Sequence, residues 1–222
     1  MSARTGTRAG PRLDRRTALL AAAVVALEAL LVAGHAWTSP DRVTTLRYAV
    51  YPFVWIDAAL LGMWVATPPR TTVRRGALAA GVAAAYFGVL ALLTGLIDVY
   101  PPGAAPLAQG WQLSLGPPGW APRVAYVSDQ FYAYFVPYRV VGYLGLAYLV
   151  YVALLDAFRA ALPAVVGVGS CVGCALPLVA PGFLGATAGA GATLSGVTVD
   201  VSTAVFLLSV GLLAWRPAQR ME

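Results

Sequence analysis

From residue 17 to residue 215, apolar stretches about twenty residues long follow one another with few charges inside them, and nothing else limits the fold so strongly. A bilayer core about 30 Å thick is crossed by about 20 helical residues. Six stretches meet or approach that length, at 17–37, 46–66, 76–97, 130–155, 160–180 and 199–215. Apolar residues make up 59% of the 222 residues and charged residues 11%, and the mean hydropathy is +0.74. A soluble domain lies nearer half apolar and a quarter charged, and one small core cannot hide so much apolar surface. The expected fold class is an all-α integral membrane bundle of six helices. Residues 1–16 and 216–222 are expected as short tails and 17–215 as the transmembrane domain. The first stretch continues into further spans and precedes no soluble domain, so it reads as an anchor and not as a cleaved signal peptide.

Orientation follows from the arginines, which are the only basic residues besides His35. With the N-terminus inside, the inner segments hold Arg4, Arg8, Arg12, Arg15, Arg16, Arg70, Arg74, Arg75, Arg159, Arg216 and Arg220, while the outer ones hold Arg42, Arg47 and Arg123. Cytoplasmic segments collect the arginines of membrane proteins, so both termini are expected inside, which an even number of spans permits. The net charge of +6 sits at segment ends, so nucleic acid is not an expected partner; the lipid bilayer is.

The outer connection at 98–125 carries Pro101, Pro102, Pro106, Pro117, Pro118 and Pro122 together with Trp111 and Trp120. Proline at that density excludes a regular helix, and the tryptophans suit the membrane–water interface. An interfacial cap is the plain reading and a docking surface the sharper one. The Gly-, Ala- and Thr-rich stretch 179–199 is only weakly hydrophobic. It reads as an outer loop or as a re-entrant segment covered by protein, because irregular backbone facing lipid is too costly.

Glu28, Asp57 and Cys171 each lie eleven residues into their stretches, about 16 Å deep at 1.5 Å per residue. Arg139 lies nearer the outer side. A charged group facing lipid costs at least about 2.5–3.5 kcal/mol, so Glu28, Asp57 and Arg139 are expected to face the bundle interior, with Arg139 paired to one of the carboxylates. The plain reading is a pair that fixes helix register, and the functional reading a proton or cation site. His35, the single histidine, falls at the outer end of the first stretch on the same side as Asp200, so the two are candidates for an outer cation entry, though a solvated interfacial histidine explains His35 as well. Seven of the eleven tyrosines fall between Tyr126 and Tyr151. The first four fit an outer aromatic belt, and the deeper ones need acceptors such as Glu28 and Asp57.

The two cysteines, Cys171 and Cys174, stand in the run Ser170-Cys171-Val172-Gly173-Cys174-Ala175-Leu176-Pro177, inside a charge-free stretch from 160 to 199. On a helix, residues three apart share a face. Two thiolates there could hold a soft ion such as Cu(I), exchange with a disulfide, or remain small buried hydrophobes. Zinc would lack ligands, with one histidine in the chain.

Cys171-Val172-Gly173-Cys174-Ala175-Leu176-Pro177, with Gly182-Phe183-Leu184-Gly185-Ala186 after it, resembles the paired-cysteine segment of mercuric-ion transport membrane proteins. Those have adjacent cysteines, whereas here two residues intervene. The whole chain, with its arginine-only basic set and Ala/Val/Gly-rich stretches, resembles an uncharacterised group of haloarchaeal polytopic membrane proteins. That resemblance implies copper handling or assembly of a respiratory oxidase, with a membrane or respiratory-complex protein as partner. No cofactor is assigned beyond this candidate: copper, as the ion handled, with Cys171 and Cys174 as its ligands.

No Walker A, no G-x-G-x-x-G after a strand and no H-E-x-x-H is present, and one histidine leaves no credible Ser-His-Asp set. An enzyme is therefore the less expected class. Membrane handling of a soft metal leads, followed by a non-catalytic membrane subunit or scaffold, and then by a thiol–disulfide oxidoreductase.

Overall fold

The computed structural model describes residues 15–38, 46–99, 109–157 and 193–218. Two compact units divide at Val43 and Thr44. In the first unit, helix α1 covers Arg15–Thr38, with Glu28 near its middle and His35 in its last turn. The second unit holds helices α2 (Leu46–Val65), α3 (Val73–Leu93), α4 (Pro137–Ala157) and α5 (Thr193–Ala218), with strands β1 (Ile97–Val99), β2 (Gly110–Ser114), β3 (Arg123–Val127) and β4 (Phe131–Phe135) between α3 and α4. Four helices among the described residues, α1 to α4, are long and apolar enough to cross a membrane, and α5 carries a shorter apolar stretch, Val199–Ala214.

The all-α expectation needs correction. The chain is mostly helical, but the proline-rich connection and the residues after it form a four-stranded antiparallel sheet in the order β1-β4-β3-β2. The helix expected from residue 130 begins at Pro137, because Phe131-Tyr132-Ala133-Tyr134-Phe135 is aromatic-rich and suits a pleated surface. Pro137 then takes the first helical position, where its missing N–H and fixed φ cost nothing, and Val140 N donates to Val136 O at 3.1 Å. The preceding helix ends at Leu93 and not near 97. Gly95, at φ +70°, turns the chain, and the amides of Gly95 and Leu96 donate to Leu92 O at 3.3 Å and Ala91 O at 2.9 Å. This paired arrangement satisfies carbonyls that the last turn leaves open and sends the chain into β1.

One end of the second unit carries the sheet, and there α2, α4 and α5 begin and α3 finishes. The pairings set this direction. Arg47 of α2 meets Asp200 of α5, and Trp55 meets Thr203 further along both. Trp55 also meets Tyr138 of α4, and at the far end Tyr148 donates to Ala66 O at 3.0 Å. Buried apolar side chains from α2, α3, α4 and α5, including Trp55, Leu90, Leu146, Leu149, Val152 and Phe206, form the core between these helices.

Candidate functional site

The most specific construction among the described residues begins with Pro52 inside α2. Proline has no N–H, so the carbonyl of Tyr48, four residues earlier, loses its helical donor. Trp120 supplies one from outside the helix, its indole Nε1 donating to Tyr48 O at 2.7 Å. The turn that carries Trp120 is held by the amides of Trp120 and Ala121, both donating to Pro117 O at 3.1 Å. Gly119 makes the approach possible. Its φ is +82°, and a Cβ there would overlap the Pro52 ring. The connection between β2 and β3 is thereby seated against Pro52 of α2, and Trp120 continues the contact against Tyr138, ring centroids 4.8 Å apart.

Below this turn stands Trp55, 3% exposed. Its ring stacks on Phe206 of α5 at 4.0 Å and 3° and meets Tyr138 and Tyr143 edge-on at 5.6 and 5.8 Å. Its Nε1 donates to Thr203 Oγ1 at 3.1 Å, which satisfies a buried donor. Glycine makes room: a Cβ at Gly142 would lie 2.7 Å from Trp55 Cε3, and one at Gly145 2.7 Å from Ala59 Cβ. Small residues let helix backbones approach closely, and here they bring α4 onto α2.

Arg139 and Asp200, two of the charged residues expected to mark a site, make separate contacts. Arg139, the third residue of α4, donates from Nε to the Tyr138 hydroxyl at 3.1 Å and from Nη1 to Thr94 O at 3.4 Å. Thr94 caps the C-terminus of α3, where unsatisfied carbonyls carry partial negative charge and attract a cation. The negative end of α3 thus takes the role expected of a carboxylate beside Arg139. Asp200 accepts from Arg47 Nη1 at 2.8 Å on one oxygen and from the Tyr51 hydroxyl at 2.5 Å on the other. Asp57 lies partway along α2, Glu28 near the middle of α1, and each has interaction partners. Cys171 and Cys174 lie outside the described residues. Among the described residues no group of three or more His, Cys, Asp or Glu could hold a metal ion.

Of the deeper tyrosines, Tyr148 donates to the Ala66 carbonyl at 3.0 Å. Tyr126, Tyr132 and Tyr134 of the expected outer aromatic belt stand on β3 and β4. Sequence reasoning missed Arg47, Tyr51, Trp55 and the Gly119–Trp120 turn. A proline inside an otherwise apolar helix was the available signal, since it leaves a carbonyl that must find a donor.

Fold and contacts define a class: a mostly helical chain with four helices among the described residues long and apolar enough to cross a membrane, and a four-stranded sheet at one end of the helices of its second unit. The chain belongs to a family of unknown function, DUF7546, whose model matches residues 1–220. No curated protein and no solved structure matches it, so the likeness to mercuric-ion transport proteins rests on residues 171–186 alone.

Proposed function

We propose that this chain is a multi-pass membrane protein of six spans, with both termini in the cytoplasm and the sheet on the outer surface, and that it serves as a non-catalytic membrane subunit. Two facts support the topology. Arg70, Arg74 and Arg75 cluster in the connection from α2 to α3, at the end away from the sheet, as cytoplasmic connections of membrane proteins do. In addition, α4 finishes at that far end while α5 begins at the sheet end, so the chain between 157 and 193 starts and finishes at opposite ends of the helices. A segment with that requirement and no charge between 160 and 199 is suited to a fifth crossing. With α1 and α5 the total is six.

The single observation that favours a subunit over a transporter or enzyme is how the polar side chains are used. Arg139 closes the end of α3, Arg47 and Tyr51 engage both oxygens of Asp200, and Trp55 holds Thr203. Each contact joins two helices and fixes their register, the best-attested role of polar groups between apolar helices.

A second reading is carried by Cys171 and Cys174, the only cysteines, three residues apart in a charge-free run. In that reading the pair holds a soft metal such as Cu(I), for which Glu28 and Asp57 balance charge, or it exchanges thiols with a partner protein. One experiment separates the readings: Cu(I) titration of the purified protein in detergent under reducing conditions, beside a Cys171→Ser/Cys174→Ser variant. The subunit reading predicts equal, weak binding by both proteins. Stoichiometric binding lost in the variant would replace it with metal handling, and a mixed disulfide trapped by a single Cys→Ser variant would replace it with thiol exchange.

A further inference from the structure

The register of the sheet sorts its side chains into two unlike faces. Trp111 pairs with Tyr126, Leu113 with Val124, Tyr126 with Ala133, Val124 with Phe135, Ile97 with Ala133, and Val99 with Phe131. Since alternate residues share a face, one face consists of these nine residues and bears no charge. The opposite face bears Asp98, Gln112, Ser114 and Arg123 with Tyr132 and Tyr134, and the buried Ala125 and Val127 lie between them. The apolar face is open: Trp111 is 77% exposed, Leu113 68% and Val99 65%, and Phe131 and Phe135 are exposed too; Asp98, Gln112, Ser114, Arg123 and Tyr134 on the other face are exposed as well. Exposed apolar surface of this continuity marks a contact with something other than water.

We propose that this face rests in the boundary between headgroups and acyl chains of the outer leaflet, so that the sheet lies on the membrane as an amphipathic sheet. The inference rests on the reading of the helices as membrane spans. Two observations choose lipid as the occupant. First, the sheet is tied through β1 and β4 to apolar helices of membrane length, because β1 begins four residues after the end of α3 and β4 ends two residues before α4 starts. Second, the face is aromatic and aliphatic with no charge, and aromatic rings of the Trp and Tyr type settle at the membrane interface.

The test uses the full chain with Cys171→Ser and Cys174→Ser, reconstituted in vesicles of phosphatidylcholine and phosphatidylglycerol and spin-labelled at single introduced cysteines. Leu113→Cys and Val99→Cys report the apolar face, Ser114→Cys the opposite face, and Leu60→Cys the exposed side of α2. Collision rates with oxygen, which partitions into lipid, and with a water-soluble nickel chelate are measured at each site. The proposal expects oxygen to exceed the chelate several-fold at 113 and 99 and the order to reverse at 114. Chelate access at 113 and 99 equal to that at 114 would overturn it. An immobile label reached by neither reagent would also overturn it and assign the face to a covering segment of this chain, a second copy or another protein. Leu60 keeps the premise separate: a water-exposed label there would refute the membrane reading itself.

Discussion

At the scale of single residues, the account depends on a few side chains whose loss has distinct costs. Trp120→Phe keeps the ring against Tyr138 but leaves the Tyr48 carbonyl without its indole donor. A buried acceptor left unmet costs about 1–3 kcal/mol, so this variant is expected to melt lower in detergent, as followed by circular dichroism. Glycine substitutions divide by surroundings. Gly142→Ala forces a methyl group against Trp55 and Phe206, and overpacking costs about 1–3 kcal/mol. Gly88→Ala meets nothing within 4 Å and is expected to be neutral or to stabilise by up to about 1 kcal/mol through helix propensity. Equal thermal shifts for the two would contradict close packing of α4 on α2. Asp200→Asn removes an ion pair whose side chains are 47% and 35% exposed; pairs of this kind contribute about 0–1 kcal/mol, so a small shift is expected.

At the scale of elements, the helices were legible in the sequence and the sheet was not, and hydropathy explains both. A window of apolar residues identifies a helix of membrane length, and the expected stretches at 46–66 and 76–97 lie over α2 and α3 within a few residues. The same window is blind to β4, because Phe131–Phe135 is as apolar as the helix it precedes, and the two merge into one stretch from 130. Pro137 marked the boundary, since the residue before a proline is driven away from helix. The prolines of 98–125 correctly excluded helix yet said nothing of strands, whose alternation at Trp111–Ser114 and Arg123–Val127 depends on pairing partners distant in sequence. The partners of the charged residues were not legible. Arg139 meets the carbonyl of a helix end, an acceptor that no residue identity announces. The join between sheet and helix is testable through Pro52→Ala. Restoring an N–H at position 52 lets α2 reclaim the Tyr48 carbonyl in competition with Trp120. Hydrogen exchange is then expected to quicken across β2 and β3 while the middle of α4 stays protected; unchanged exchange in the strands would show that the open Tyr48 carbonyl does not seat the turn.

At the scale of the whole molecule, the arrangement follows from one solvent requirement. Apolar helices of membrane length need lipid around them, close contacts at Gly142 and Gly145 bring α2 and α4 together, and the polar groups at the sheet end join helices whose apolar sides alone would not fix a register. The account therefore stands on orientation: the sheet outside, and the α2–α3 connection with Arg70, Arg74 and Arg75 inside. The most direct measurement is labelling of intact cells with a membrane-impermeant maleimide, using single cysteines introduced into the Cys171→Ser/Cys174→Ser chain. Ser114→Cys is expected to label in intact cells, and Thr71→Cys only after the membrane is opened. Labelling of Thr71→Cys in intact cells with Ser114→Cys protected would invert the topology, and labelling of both would contradict a membrane crossing between them.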